Sequence, residues 1–168
     1  MKFSAAYAPA PTCTPSRKSI QFGKTPGRLG YTFVHDVLAL QKELEWKDEL
    51  SLADVAKGSE GNYITAHFGK GMSNERMETI GYEVTDEFDG NADNGNFHGD
   101  YVSLKTREKL PIDNPKRMPE LEKRSVDFVN EHAGKRPFFM MVSHYAVHVP
   151  HAARPSLIEK YRNLPRGK

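Results

Sequence analysis

The sequence predicts an α/β fold, a mostly parallel sheet flanked by helices, and three observations carry that expectation. Helix-like and strand-like segments alternate along the chain, the order that parallel βα units produce. The run Phe138-Phe139-Met140-Met141-Val142 is continuously apolar over the length of one strand, as a strand covered on both faces must be. Directly before it, residues 119–132 read as an amphipathic helix with Leu121, Val126, Phe128 and Val129 on one face.

The remaining elements follow in chain order. Residues 2–8 have the mixed character of an extended strand leading into Pro9-Ala10-Pro11. Thr14 followed by Pro15 predicts an N-cap and a first helical residue, with a helix over 15–22 that stops at Gly23. Gly27 and Gly30 make the next stretch a loop. Val37, Leu38, Leu40 and Leu44, with Trp46 beyond, carry a helical period. Ser51-Leu52-Ala53-Asp54 has the form of a capping box, and Gly58 closes the short helix it opens. Residues 63–68 are rich in β-branched and aromatic side chains and predict a strand. Residues 83–100 turn to Asp, Asn and Gly, the composition of a long surface loop. Gly134 is expected to cap the 119–132 helix, and a last helix is expected over 156–161. Both predicted strands are followed closely by a basic or imidazole side chain, Lys70 after the first and His144 after the second. In open α/β sheets ligands collect at the carboxyl ends of the strands.

Composition excludes several functions. A net charge of +2 in 168 residues gives no electrostatic footprint for nucleic acid or a membrane surface. No apolar run approaches the roughly 20 residues of a membrane span, and Met1-Lys2 leads into no apolar signal segment. Hydrophobic residues at 38% and charged residues at 27% suit a folded domain with its own core. The single cysteine, Cys13, excludes an internal disulfide.

A lone cysteine most often fills space as a small hydrophobe. Cys13 has neighbours that change this. It sits at a helix start, where unpaired N–H groups favour negative charge. Arg17, one helical turn on, can fold back toward the same point, and Ser16 adds a hydroxyl. Those residue types at those offsets suit an anion.

Cys13-Thr14-Pro15-Ser16-Arg17 resembles the Cys-x-Pro-Ser-Arg motif of the sulfatase family, whose cysteine is converted to formylglycine. Gln21-Phe22-Gly23-Lys24 is a loose version of the family's following Leu-Thr-Gly-Arg stretch. Thr65-Ala66-His67-Phe68-Gly69-Lys70 resembles the strand and turn that carry a sulfate-binding lysine. Pro137-Phe138-Phe139 through Ala146-Val147-His148-Val149-Pro150 resembles the strand and loop that carry an active-site histidine. Three motifs in family order identify the chain as sulfatase-like, of the alkaline-phosphatase-like superfamily.

The resemblance implies a sulfuric ester hydrolase acting on sulfated carbohydrate or aryl sulfate. Its site residues would be Cys13 (as formylglycine, also the metal contact), Arg17, Lys70 and His148, with Lys70 and His148 holding the sulfate. It implies calcium as cofactor, a formylglycine-generating enzyme as maturation partner, and a periplasmic, secreted or lysosomal home. Family members commonly place a histidine two residues after the lysine; here Met72 stands there, and a thioether cannot take that histidine's part. Asp86, Asp89, Asp93 and Asp100 lack EF-hand spacing and read as a solvated loop. His67 is expected to pack or hydrogen-bond, and His144 and His151 to be loop residues. His35, His98 and His132 have no metal-ligand spacing. The family's upstream paired-Asp motif and downstream Asp-Asn or Asp-Gln pair are not among residues 1–168. The expectation is therefore a partial catalytic domain over 1–168 that, alone, neither binds calcium tightly nor hydrolyses sulfate esters. Phosphodiester or phosphonate hydrolysis, which the same motif supports in the superfamily, and a non-catalytic product are the alternatives.

Overall fold

A computed structural model describes residues 2–33, 49–72, 76–86, 97–98, 102–103, 109, 111–149 and 151–166. Strand β1 (Ile64–Gly69) lies between β2 (Val84–Thr85) and the later strand Phe138–Ser143, and both pairings are parallel. A short antiparallel pair, β3 (Phe97–His98) with β4 (Val102–Ser103), forms a second sheet, so the strand Phe138–Ser143 is β5. β1 and β5 run in register from Ile64↔Phe138 to Gly69↔Ser143. The expected α/β fold with a parallel sheet is what forms.

Alternation along β1 divides the core in two. Ala66 and Phe68 point to one side, where they meet Leu121 and Phe128 of α3 (Met118–His132) together with Phe138, Met140 and Val142 of β5. Phe128 makes edge contacts with Phe68 at 5.8 Å and Phe138 at 5.5 Å between ring centres, and burying such a ring contributes about 1.5–3 kcal/mol. On the opposite side, Phe22 of α1 (Cys13–Phe22), Ala53 of α2 (Leu52–Gly58), Leu29, Tyr31, Met72, Met77 and Tyr82 form the second cluster, joined by Phe139. α4 (Pro155–Arg162) is exposed throughout. No described helix is long and apolar enough to cross a membrane.

α2 starts as expected: the Ser51 hydroxyl accepts from the Asp54 amide at 3.0 Å, and Asp54 accepts from the Ser51 amide at 3.1 Å. Ser51 is buried, and its hydroxyl lies 2.6 Å from the Ile80 carbonyl, tying α2 to the 3₁₀ turn Met77–Ile80. Ser51→Ala is expected to cost about 1–2 kcal/mol, measured by urea denaturation. A loss below a few tenths would show that the cap does not anchor α2.

Several expectations are corrected. α1 begins at Cys13 with Thr12 as N-cap, not at Pro15 after Thr14; Pro15 falls third in the first turn, where a missing N–H breaks no intrahelical bond. Gly23 does end it, in the left-handed region at φ 61. Residues 2–8 form no strand and are exposed. Val126 is 51% exposed, because five residues from Leu121 is about 140° round the helix, whereas Phe128 at seven returns to the same face. Residues 83–86 are not loop: Glu83 donates to the Thr65 carbonyl at 3.1 Å and Val84–Thr85 pair with β1. Tertiary pairing overrides the loop-like composition there. Gly134 does close α3, in the left-handed region at φ 75 directly after the C-cap residue Ala133. β5 is only half-buried over Phe138 to Val142, being the edge of the described sheet. The expected helix around Val37 to Trp46, and Asp89, Asp93 and Asp100, lie outside the described residues, as does the side chain of His98.

Candidate active site

Cys13 is the first residue of α1, half-buried and free, with its sulfur 3.8 Å from the Thr14 hydroxyl. The Thr12 hydroxyl beside it is buried with no partner. Ser16 donates to the Ala10 carbonyl at 2.9 Å, so its proton secures the incoming loop rather than an anion.

The sheet delivers the next residue. Lys70 follows the last residue of β1, and its amide donates to the Ser143 carbonyl at 2.7 Å, carrying the β1–β5 ladder one step further. Arg17 reaches back from α1 and donates from Nη1 to the Lys70 carbonyl at 3.0 Å. That bond fixes the guanidinium over the carboxyl end of β1. The Lys70 side chain is buried, with its ammonium 5.0 Å from the centre of the Tyr145 ring.

The loop after β5 supplies the imidazole. The His148 amide donates to the Tyr145 carbonyl at 2.7 Å, and the His148 ring meets Tyr145 edge-on at 6.1 Å. The Ala146–Val147 peptide bond in this loop is cis. Nδ1 of His148 lies 2.7 Å from the Val149 carbonyl, which can only accept. Nδ1 therefore carries the proton in the neutral ring, leaving the Nε2 lone pair open. The His148 carbonyl accepts from the buried Lys116 ammonium at 2.8 Å.

These groups feel one another. Burial lowers the pKa of Arg17, opposed by Cys13 and Tyr145 when those are ionised. Burial also lowers Lys70, opposed by ionised Cys13 and reinforced by Arg17. Lys116 is lowered by burial and then by Lys70. His148 is lowered by burial and by the charges of Lys70, Lys116 and Arg17, against the Val149 carbonyl that favours its charged form. Burial raises the Tyr145 phenol, with Arg17 opposing, so it stays a neutral hydroxyl. Among the described residues no carboxylate enters the balance at Arg17, Lys70 or His148. Four groups that resist positive charge around one point would each be relieved by an anion.

A divalent cation is a different matter. Among the described residues no three of His, Cys, Asp or Glu converge as ligands. A hard cation seeks six or more oxygens, and here it would face Arg17, Lys70 and Lys116. These residues do not fit calcium; they fit an oxyanion.

The other sequence candidates fall elsewhere. His67 is buried behind the site, with Nε2 at 3.3 Å from the Ser143 hydroxyl and its ring edge-on to Tyr82 at 5.4 Å. It packs and hydrogen-bonds. His144 and His151 are exposed loop residues, and the His132 ring lies 4.5 Å from that of Phe128. Met72 is 1% exposed inside the core cluster with Phe22 and Tyr31, so it fills space and brings no donor to the site. Asp86 is not a solvated loop residue. It is buried, accepts from the Gly69 amide and lies 2.7 Å from Arg124 Nε; burial raises its pKa, and those two partners pull it down.

Cys13, Arg17, Lys70 and His148 are thus brought together, with two residues that sequence reasoning missed. Tyr145 was findable, since it stands between His144 and His148 in the loop singled out for its histidines. Lys116 was not, since the turn Asp113-Asn114-Pro115-Lys116 carries no periodic or motif signal.

A parallel sheet whose carboxyl ends gather a helix-borne cysteine, two buried lysines, an arginine and an imidazole is the framework of an α/β protein with a cation-rich cluster at its strand ends. The sulfatase family model matches residues 1–165, and the chain belongs to the sulfatase family. The activity of that family is sulfate ester hydrolysis. No curated protein matches the chain.

Proposed function

We propose that this chain holds the sulfate-binding part of a sulfuric ester hydrolase site, with position 13, matured to formylglycine, as the nucleophile. The observation that supports it is the convergence of Arg17, Lys70 and His148 beside Cys13, with no carboxylate of the described residues among them. A formylglycine at position 13 would supply, as its hydrate, the attacking oxygen. Lys70 and Arg17 bind the sulfate oxygens and offset the charge that gathers on them during attack. His148 enters neutral, with Nε2 bare. The bound anion opposes the cations that depress its pKa, so the ring takes up a proton on Nε2 and can pass it to the departing alkoxide. The family is generally metal-dependent, but no step here runs through a metal, since the described residues do not fit one.

Sulfate titrated calorimetrically into the chain, against chloride at equal ionic strength, is expected to saturate. Lys70→Met should weaken it about tenfold, or about 1.4 kcal/mol. Binding should tighten on acidification, because His148 gains its proton more readily with the anion present. Absence of saturable binding, or a Lys70→Met variant that binds like the parent, would overturn the proposal. Phosphate titrated in parallel separates sulfate from phosphate ester chemistry. Mass spectrometry of the Cys13 peptide, after co-expression with a formylglycine-generating enzyme, should show the aldehyde; an intact thiol would remove position 13 from the role given to it.

A further inference from the structure

We infer that Lys116 is a positioning residue for the histidine loop: its buried ammonium grips the His148 carbonyl and so aims the imidazole at the anion site. The inference deepens the sulfate-site proposal and rests on it for the role of His148. Two peptide groups flank the His148 Cα, and each is held. The one before is tied through its N–H to the Tyr145 carbonyl at 2.7 Å. The one after is tied through its C=O to Lys116 Nζ at 2.8 Å. With both planes fixed, φ and ψ of His148 are fixed, and the ring keeps Nδ1 on the Val149 carbonyl. Nε2 is then the nitrogen left for substrate.

Burial and the backbone on either side of it restrict where Lys116 can reach. The residue is 4% exposed, and burial and the nearby Lys70 ammonium both oppose its charge. The chain turns from Lys116 into α3 through Arg117, a non-glycine residue at φ 48, a conformation that costs about 1 kcal/mol or more. Pro115, buried beside it, stiffens the approach. The outcome is a cation brought from the start of α3 to the backbone of the loop after β5, 32 residues away in sequence. A hydrogen bond from a charged donor is about twice as strong as a neutral one, which suits a clamp on a loop without regular structure.

The test compares the parent chain with Lys116→Met, nearly isosteric but unable to donate, and Lys116→Arg, which restores charge and donor. Nitrogen-15 shifts of the His148 ring report its tautomer directly. The parent should show the Nδ1–H form when neutral; Lys116→Met should show the two nitrogens averaged, and Lys116→Arg should return them toward the parent. Inorganic sulfate should bind Lys116→Met about fivefold more weakly, with Lys116→Arg within about twofold of the parent. An unchanged His148 tautomer in a folded Lys116→Met overturns the inference, whatever sulfate does. Should the parent bind no sulfate, the functional proposal falls, and the tautomer comparison still decides the role of Lys116. Should Lys116→Met not fold, proton exchange at the parent's Lys116 ammonium decides: slow exchange supports the clamp, and exchange as fast as a surface lysine's sinks it.

Discussion

Gly69→Ala is expected to lower stability by roughly 3 kcal/mol or more, a large fraction of the stability of an ordinary domain. Gly69 closes β1 at φ +94, where an L side chain is strained in any surroundings. The surroundings make it worse. A Cβ at this position would stand 2.0 Å from the Ser143 carbonyl oxygen, which is backbone and cannot rotate away. That oxygen is also the acceptor for the Lys70 amide, so relieving the clash means breaking the bond that sets Lys70. The Gly69 amide is itself held by the Asp86 carboxylate. Gly23→Ala is the control: it too has a positive φ, 61, but its Cβ would meet nothing within 4 Å, so only the backbone cost of about 1 kcal/mol should appear. Urea denaturation of the two variants measures the difference, and a Gly69→Ala loss no larger than that of Gly23→Ala would show that the β1 end tolerates displacement.

The sequence made the fold class and most element positions readable because local signals and tertiary demands agree there. The Ser51–Asp54 box, the strands around Phe68 and Met140 and the helix ending near Gly134 each state the same structure at two levels. It failed where a residue's role is set from outside its own segment. Val84 and Thr85 sit in a loop-like composition and become a strand only because β1 offers an edge. Asp86 looked like one acid in a solvated run; what makes it structural is the Gly69 amide, 17 residues away in sequence.

The site was legible in proportion to motif. Cys13 and Arg17 share a helix turn, and Lys70 and His148 each follow a strand, so the fold had only to align β1 with β5 for the four to meet. Lys116 comes from a different layer, through a turn and a helix start, and no pattern of residue types along the chain encodes its bond to the His148 carbonyl. Ser16, by contrast, was read as part of the site from its place in the motif, yet its hydroxyl serves the backbone at Ala10. Neighbours in a motif are not all neighbours in the chemistry.

His67 should make the fold sensitive to mild acid, with the loss beginning above the range in which most carboxylates protonate. Burial first, and the Arg17 charge second, push its pKa down from 6.5 to about 4, with only its own backbone hydrogen bond opposing. The unfolded chain therefore binds a proton that the folded chain refuses between those two values. Stability is full above about pH 6.5 and falls as the pH drops toward 4, by roughly 3 kcal/mol at 1.36 kcal/mol per pH unit. His148, lowered from the same ordinary value, adds a smaller loss of the same sign. Asp54, Glu78 and Glu120 are held below their ordinary carboxylate values, the highest of which is 4.5, so their contributions vanish only at lower pH. Asp86, raised by burial, acts in the opposite direction at the low end of the window. His67→Gln removes the titrating ring while keeping a donor near the Ser143 hydroxyl, and should flatten most of the slope of unfolding free energy between pH 6.5 and 4.5. Urea melts of both chains at half-unit pH intervals measure it; parallel slopes would mean that the imidazole is charged in the folded protein, and that Arg17 does not bear on the β1 interior as its position beside Lys70 implies.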